Sequence, residues 1–235
     1  LIELIKNSGY MAKQNIKNGN KFVLFATIGV VSLILVLIIV LIFSGNSSNQ
    51  VTGSFKGNIN IQGETVAQLP QHFDRDCIFH SVALCKSFES AANIIIPDIE
   101  GISISGEPFK IQNDGRKKII LFLAHWCPHC QVEVEVFESW IKTRGVPEDF
   151  DIYSIATANN PSQEKYPPET WLKEGNWEFP TIIDTDSDNI AKIFGVTSFP
   201  YWVLVDSENK ILTRLTGTFK EEDIDVIVSK MLESQ

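Results

Sequence analysis

From Phe22 to Phe43 the chain runs 22 residues without a charge, and from Leu33 to Phe43 it carries no polar side chain. At 1.5 Å per residue, a helix over this run reaches across the roughly 30 Å hydrocarbon core of a bilayer. The apolar region of a cleavable signal peptide is shorter, about 7–15 residues, and ends in a small-x-small cleavage site. No Cys follows the run for lipid attachment. Residues 22–43 are therefore expected to be an uncleaved transmembrane helix, with 1–21 as a short cytoplasmic segment. Lys6, Lys13, Lys17 and Lys21 precede the run and the next positive residue is Lys56. The positive-inside rule then exports everything after Phe43. The first residue is Leu1, and Met11 with the basic residues after it reads as a natural start.

Of 20 basic and 29 acidic residues, four Lys and Glu3 precede the run, leaving 16 against 28 in the exported part. That balance argues against nucleic acid and against docking on anionic lipid, and fits a solvated acidic surface. Residues 44–63 are rich in Ser, Asn, Gly and Gln and read as a flexible linker. Residues 64–96 read as an N-terminal extension of the domain that follows at 97–235.

Within 97–235 the pattern alternates. Lys118 to Ala124 is an apolar run of strand length, buried on both faces. Pro128 suits the first turn of a helix, in which Val132, Val136, Phe137, Trp140 and Ile141 form an apolar face. Gly145 and Pro147 end that helix. Phe150 to Ala156 reads as a strand, Pro167 to Trp177 holds a short helix and Thr181 to Ile183 a short strand. Asn189 to Phe194 is helical, with Asp186 to Asp188 supplying its cap. Tyr201 to Asp206 and Lys210 to Thr216 form a hairpin. Glu221 to Leu232 closes the chain, with Ile224, Ile227, Val228 and Leu232 on one side. This order gives an α/β fold, a mixed central sheet with helices on both faces.

Trp126-Cys127-Pro128-His129-Cys130 falls between the buried strand and the first helix. Cys127 is thereby placed at a helix N-terminus, where unpaired N–H groups and the macrodipole favour a thiolate. Cys130, one turn on, faces inward and serves as the resolving thiol. An imidazole at His129 between them stabilises the reduced form and makes the disulfide more oxidising. A structural zinc site needs four ligands, usually with a second matched Cys pair, and a plain structural disulfide is the other alternative. In an exported domain a Cys pair between strand and helix reads as redox-active.

The chain resembles the thioredoxin superfamily, and within it the membrane-anchored TlpA/ResA-like group. The resemblance covers about residues 95–233. It is carried by Pro97-Asp98-Ile99 through Glu107, by Ile120 through Cys127, by Phe179-Pro180-Thr181 through Asp184, by Phe194-Gly195-Val196 and by Phe199-Pro200. It implies a thioredoxin fold behind a single N-terminal transmembrane helix. Cys127 is then the attacking cysteine, Cys130 the resolving one, and Pro200 the cis-proline beside the pair. Glu133 matches an acidic residue that this group places near its pair; the alternative is a solvated helix carboxylate beside Glu135. Pro128-His129 resembles the oxidising DsbA-type enzymes instead. Leu121 stands where thioredoxin and DsbA carry a buried acid, and Phe199 is bulky for its position. Trp126 packs beside the pair in this family.

Cys77 and Cys85 are about 12 Å apart on a continuous helix, too far for a disulfide, so a bridge needs a bend; an oxidising compartment favours one. His72, Cys77, His80 and Cys85 match no recognised zinc spacing. His125 is expected to be partly exposed, and Trp171 and Trp177 to be core or lid residues. The expected function is thiol-disulfide oxidoreduction on exported protein thiols or disulfides, with a membrane redox partner and no cofactor beyond the Cys127–Cys130 disulfide. A copper-binding metallochaperone using the same cysteines, with His125 or His129, is the alternative. Pro128-His129 points to an oxidase or isomerase, the anchored scaffold to a reductase.

Overall fold

In the computed structural model, residues 60–62, 66 and 89–234 are described. The expected anchor at 22–43 lies outside them, as do 1–21, 44–59, His72, Cys77, His80 and Cys85. Among the described residues no helix is long and apolar enough to cross a membrane.

The elements in chain order are β1 (Asn60–Gln62), β2 (Asp98–Ile102), β3 (Pro108–Ile111), β4 (Lys117–Leu123), α1 (Pro128–Arg144), β5 (Phe150–Ala156), α2 (Pro168–Glu174), β6 (Thr181–Ile183), α3 (Asn189–Ile193), β7 (Tyr201–Val205), β8 (Ile211–Thr216) and α4 (Glu221–Glu233). A five-stranded sheet has the order β6-β5-β4-β7-β8. The β4–β5 and β5–β6 pairs are parallel, and β4–β7 and β7–β8 antiparallel. This is the expected thioredoxin-type mixed sheet. A separate antiparallel sheet joins β1, β2 and β3. Because β1 pairs with β2, residues 60–62 of the expected linker are strand.

Strand β4 is central because both of its faces are apolar and successive side chains point to opposite sides. Ile119, Leu121 and Leu123 enter one core with Phe137 and Trp140 of α1 and Ile224 and Ile227 of α4. Ile120 and Phe122 enter the other, with Ile190 and Phe194 at α3 and Ile99 and Ile111 from β2 and β3. Each such fully buried side chain contributes about 1.5–3 kcal/mol.

Three helix details differ from expectation. In α1 the buried face carries Cys130, Glu133, Val134, Phe137, Glu138 and Trp140, while Val132 is exposed. Two buried glutamates make that face look polar in sequence, so the apolar period alone shifts it by part of a turn. In α4 Met231 is buried in place of Leu232. The start of α3 is capped from upstream by Asp184, which accepts the N–H groups of Ile190 (3.0 Å) and Ala191 (3.0 Å), rather than by residues 186–188. Burial holds the Asp184 carboxyl above its usual range, against the lowering effect of those N–H bonds.

The folded unit begins before residue 97. Glu89 is buried and its carboxylate accepts from the backbone N–H (3.0 Å) and guanidinium Nε (3.1 Å) of Arg214 on β8. Both side chains are fully buried, and Arg214 Nη1 also donates to the Phe194 carbonyl at 3.2 Å. Ile95 bridges Lys210 at the β8 edge, and Ser103 bridges Ile182 at the β6 edge. Removing one member of a buried pair strands the other charge. We expect Glu89→Ala to cost about 3–5 kcal/mol, read as a lowered urea midpoint with an unchanged slope.

Candidate active site

The strand–turn–helix corner builds the site. After β4 the chain turns through Ala124 to Cys127, whose N–H donates to the Ala124 carbonyl at 3.0 Å. Cys127 is the N-cap of α1, in extended conformation (φ −81°, ψ 117°), and Pro128 occupies the first helical turn. The proline has no N–H to leave unsatisfied there, and its fixed φ suits the turn. The free N–H groups of the first turn point towards residue 127.

The facing wall comes from β7. Its antiparallel register pairs Phe122 with Tyr201, so the residues just before Tyr201 lie beside the corner that follows β4. The Phe199–Pro200 peptide is cis, as the resemblance implies. Cys127 Sγ lies 3.8 Å from the Phe199 carbonyl oxygen. Phe199 also meets the Trp126 ring edge-on at 6.3 Å.

The two cysteines differ in access. Cys127 is 7% exposed and Cys130 is 0% exposed. Cys130 Sγ accepts the Ala124 N–H at 3.4 Å. Burial pushes the Cys130 thiol well above its ordinary value, with Cys127 and the Glu133 carboxylate adding to the rise. Glu133 is not a solvated carboxylate: it is fully buried, and its Oε2 accepts the Phe219 N–H at 3.0 Å. It lies three residues after Cys130 on α1, the spacing that puts helical side chains side by side. Leu121, where an acid might have stood, is fully buried in the core. His129 is exposed, and its carbonyl accepts from Thr218 Oγ1 at 3.4 Å.

His125 departs most from expectation. It is fully buried rather than partly exposed. Its Nε2 lies 3.1 Å from the Asn160 N–H and its Nδ1 2.6 Å from the Glu164 carbonyl oxygen. An amide can only donate and a carbonyl can only accept, so Nε2 keeps its lone pair and Nδ1 carries the proton. Both nitrogens are engaged, which removes His125 as a copper ligand in this arrangement. Trp171 and Trp177 belong to the core, and Trp177 Nε1 donates to Ser154 Oγ at 3.0 Å. Ala158, Asn160 and Glu164 meet the corner mainly through backbone atoms, which leave no trace in side-chain patterning.

Residues 91–230 match the Redoxin family. The chain belongs to that family. The match begins near Glu89, consistent with a folded unit that starts before residue 97. Sporulation thiol-disulfide oxidoreductase A of Bacillus subtilis is 26% identical over 124 residues, 52% of this chain and 72% of that protein. Thiol-disulfide oxidoreductase ResA of Halalkalibacterium halodurans is 23% identical over 147 residues, 63% of this chain and 78% of that protein. The crystal structure of StoA from Bacillus subtilis aligns with a TM-score of 0.48 at 22% identity, covering 56% of this chain and 96% of that one. This redoxin is a thiol-disulfide oxidoreductase of thioredoxin type.

The raised Cys130 thiol gives the reduced redoxin a pH dependence. A group whose pKa is raised by folding keeps its proton in the native state after the unfolded chain has lost it. Its stabilising contribution is complete below the unfolded value, ordinarily 9.0, and is lost as pH rises towards the folded value. Between pH 9 and 10 the reduced protein is expected to lose up to about 1.4 kcal/mol of stability through this thiol, beside a smaller loss from Tyr153 and Tyr201, whose hydroxyls burial also raises. Urea unfolding of reduced Cys130→Ala, and of the disulfide form, lacks the thiol's share and keeps that of the tyrosines.

Proposed function

We propose that the enzyme exchanges disulfides with exported protein thiols through Cys127 and Cys130, by way of a mixed disulfide. The observation that carries this reading is the placement of Cys127 Sγ. It sits at the open end of α1, 3.8 Å from the Phe199 carbonyl beside cis Pro200, with the buried Cys130 behind it. In the reducing direction Cys127 sulfur attacks a substrate S–S bond, and the departing substrate sulfur takes up a proton. Cys130 then loses its proton and attacks Cys127 sulfur, forming the Cys127–Cys130 disulfide and releasing the second substrate thiol. The substrate gains two electrons and the enzyme loses two. The oxidising direction is the reverse.

Each remaining residue has a part in this scheme. Pro128 sets the first turn of α1 and keeps Cys127 at its cap. Pro200, lacking an N–H, presents the Phe199 carbonyl side of the peptide to the groove. Trp126 forms the exposed rim, and His129 provides an imidazole beside the attacking sulfur. Glu133 is the base: a thiol held protonated by burial needs an acceptor when it attacks, and this carboxylate is the acidic neighbour that acts on Cys130. The apolar run at 22–43 supplies a membrane anchor with the domain outside the cytoplasm, where a membrane redox partner recharges the pair. The copper-chaperone alternative loses His125, and no other observation favours it.

Insulin reduction tests the reading. Cys127→Ser abolishes turnover, and Cys130→Ser accumulates a mixed disulfide visible by mass spectrometry; turnover retained by Cys127→Ser would remove the assignment. Glu133→Gln lowers kcat by roughly 10²-fold at neutral pH, as loss of a general base does. The potential of the pair decides direction: about −120 mV marks an oxidase and about −270 mV a reductase.

A further inference from the structure

The segment 157–167, between β5 and α2, is fastened to the active-site corner by bonds from two consecutive residues. His125 takes the Asn160 N–H on Nε2 (3.1 Å) and gives its Nδ1 proton to the Glu164 carbonyl (2.6 Å). Trp126 Nε1 donates to the Ala158 carbonyl at 2.8 Å. From the other side, Asp188 Oδ1 accepts the Ala158 N–H at 2.8 Å. Ala158 has φ 52° and Lys165 φ 62°, left-handed conformations that an ordinary side chain disfavours by roughly 1–2 kcal/mol. Such conformations persist where surrounding bonds over-determine them. His125 itself is fixed from below, since Gln131 of α1 donates to its carbonyl at 3.0 Å.

This clamp brings an aromatic side chain of the segment against the active-site corner. The Tyr166 ring packs edge-on against His125 at 5.6 Å and is 47% exposed; Trp126, next to Cys127, is 38% exposed. Phe199 completes the run by its edge contact with Trp126. The catalytic step needs neither Tyr166 nor His125, and adjoining exposed rings, unlike singly scattered ones, mark an interaction site.

We infer that His125 is a positioning residue that clamps segment 157–167 as a second wall of the substrate groove, with Tyr166 contacting the polypeptide whose thiol or disulfide meets Cys127. The partner is a polypeptide with an apolar or aromatic side chain near its cysteine, because Tyr166 and Trp126 leave ring surface exposed. This inference rests on the thiol-exchange reading, and it places substrate discrimination on the segment that Trp126 and His125 hold beside the corner.

The experiment uses the full chain with insulin as the protein disulfide. Tyr166→Ala, at an exposed position, raises KM roughly threefold, the scale of one modest lost contact, and leaves kcat within a factor of about two. His125→Ala raises KM about tenfold, the scale of two lost hydrogen bonds, and His125→Gln, which keeps a donor and an acceptor, recovers part of it. Nitrogen-15 NMR of the imidazole finds Nδ1 protonated and Nε2 bare. An unchanged KM in Tyr166→Ala, a parallel loss of KM and kcat, or an Nε2-protonated ring overturns the inference. If His125→Ala does not fold, Tyr166→Ala and the tautomer decide. The exchange reading fails on a separate result, turnover surviving in Cys127→Ser.

Discussion

The antiparallel register of β7 on β4 governs the chemistry of this enzyme. Pairing Phe122 with Tyr201 sets the last residue of the cis-proline turn against the corner where β4 gives way to α1. A slip of one residue would reverse which side chains of β7 face each core, turning Trp202 out from between Phe137 and Phe219. The packing that prevents the slip therefore also fixes the distance between Cys127 and the Phe199 carbonyl. Core geometry and redox geometry are one constraint.

Around that corner, buried polar groups hold the backbone where apolar packing alone would not. Asp184 starts α3, Glu133 takes the N–H of Phe219 ahead of α4, and Glu89 ties the residues before β2 to β8. A buried polar group without partners costs several kcal/mol, so each carboxylate strongly selects the one arrangement that supplies its donors. Glu133 combines both requirements: it anchors the loop between β8 and α4 while standing next to the buried thiol.

Much of this was legible in the sequence. The boundaries of β5 and β6 and the strand–Cys127–helix corner follow from apolar runs bounded by Gly and Pro. The cis-proline position came from resemblance and not from any local signal at Phe199-Pro200. Periodicity misplaced the buried face of α1 because it treats Glu133 and Glu138 as surface residues, while the fold buries both. His125 looks partly exposed in sequence because its partners, the Asn160 N–H and the Glu164 carbonyl, are backbone groups far along the chain. The cap of α3 was missed because Asp184 reaches forward over several residues. For Glu133 and His125 a polar contact distant in sequence overrides the local pattern.

The two bridges at the sheet margins have a further consequence. Ile95 pairs with Lys210 just before β8 and Ser103 pairs with Ile182 on β6, so one short stretch of chain covers part of both flanks. An open flank would display unpaired N–H and C=O groups able to recruit a neighbouring molecule. With part of each covered, neighbouring copies have less opportunity to stack into a continuous cross-molecular ribbon.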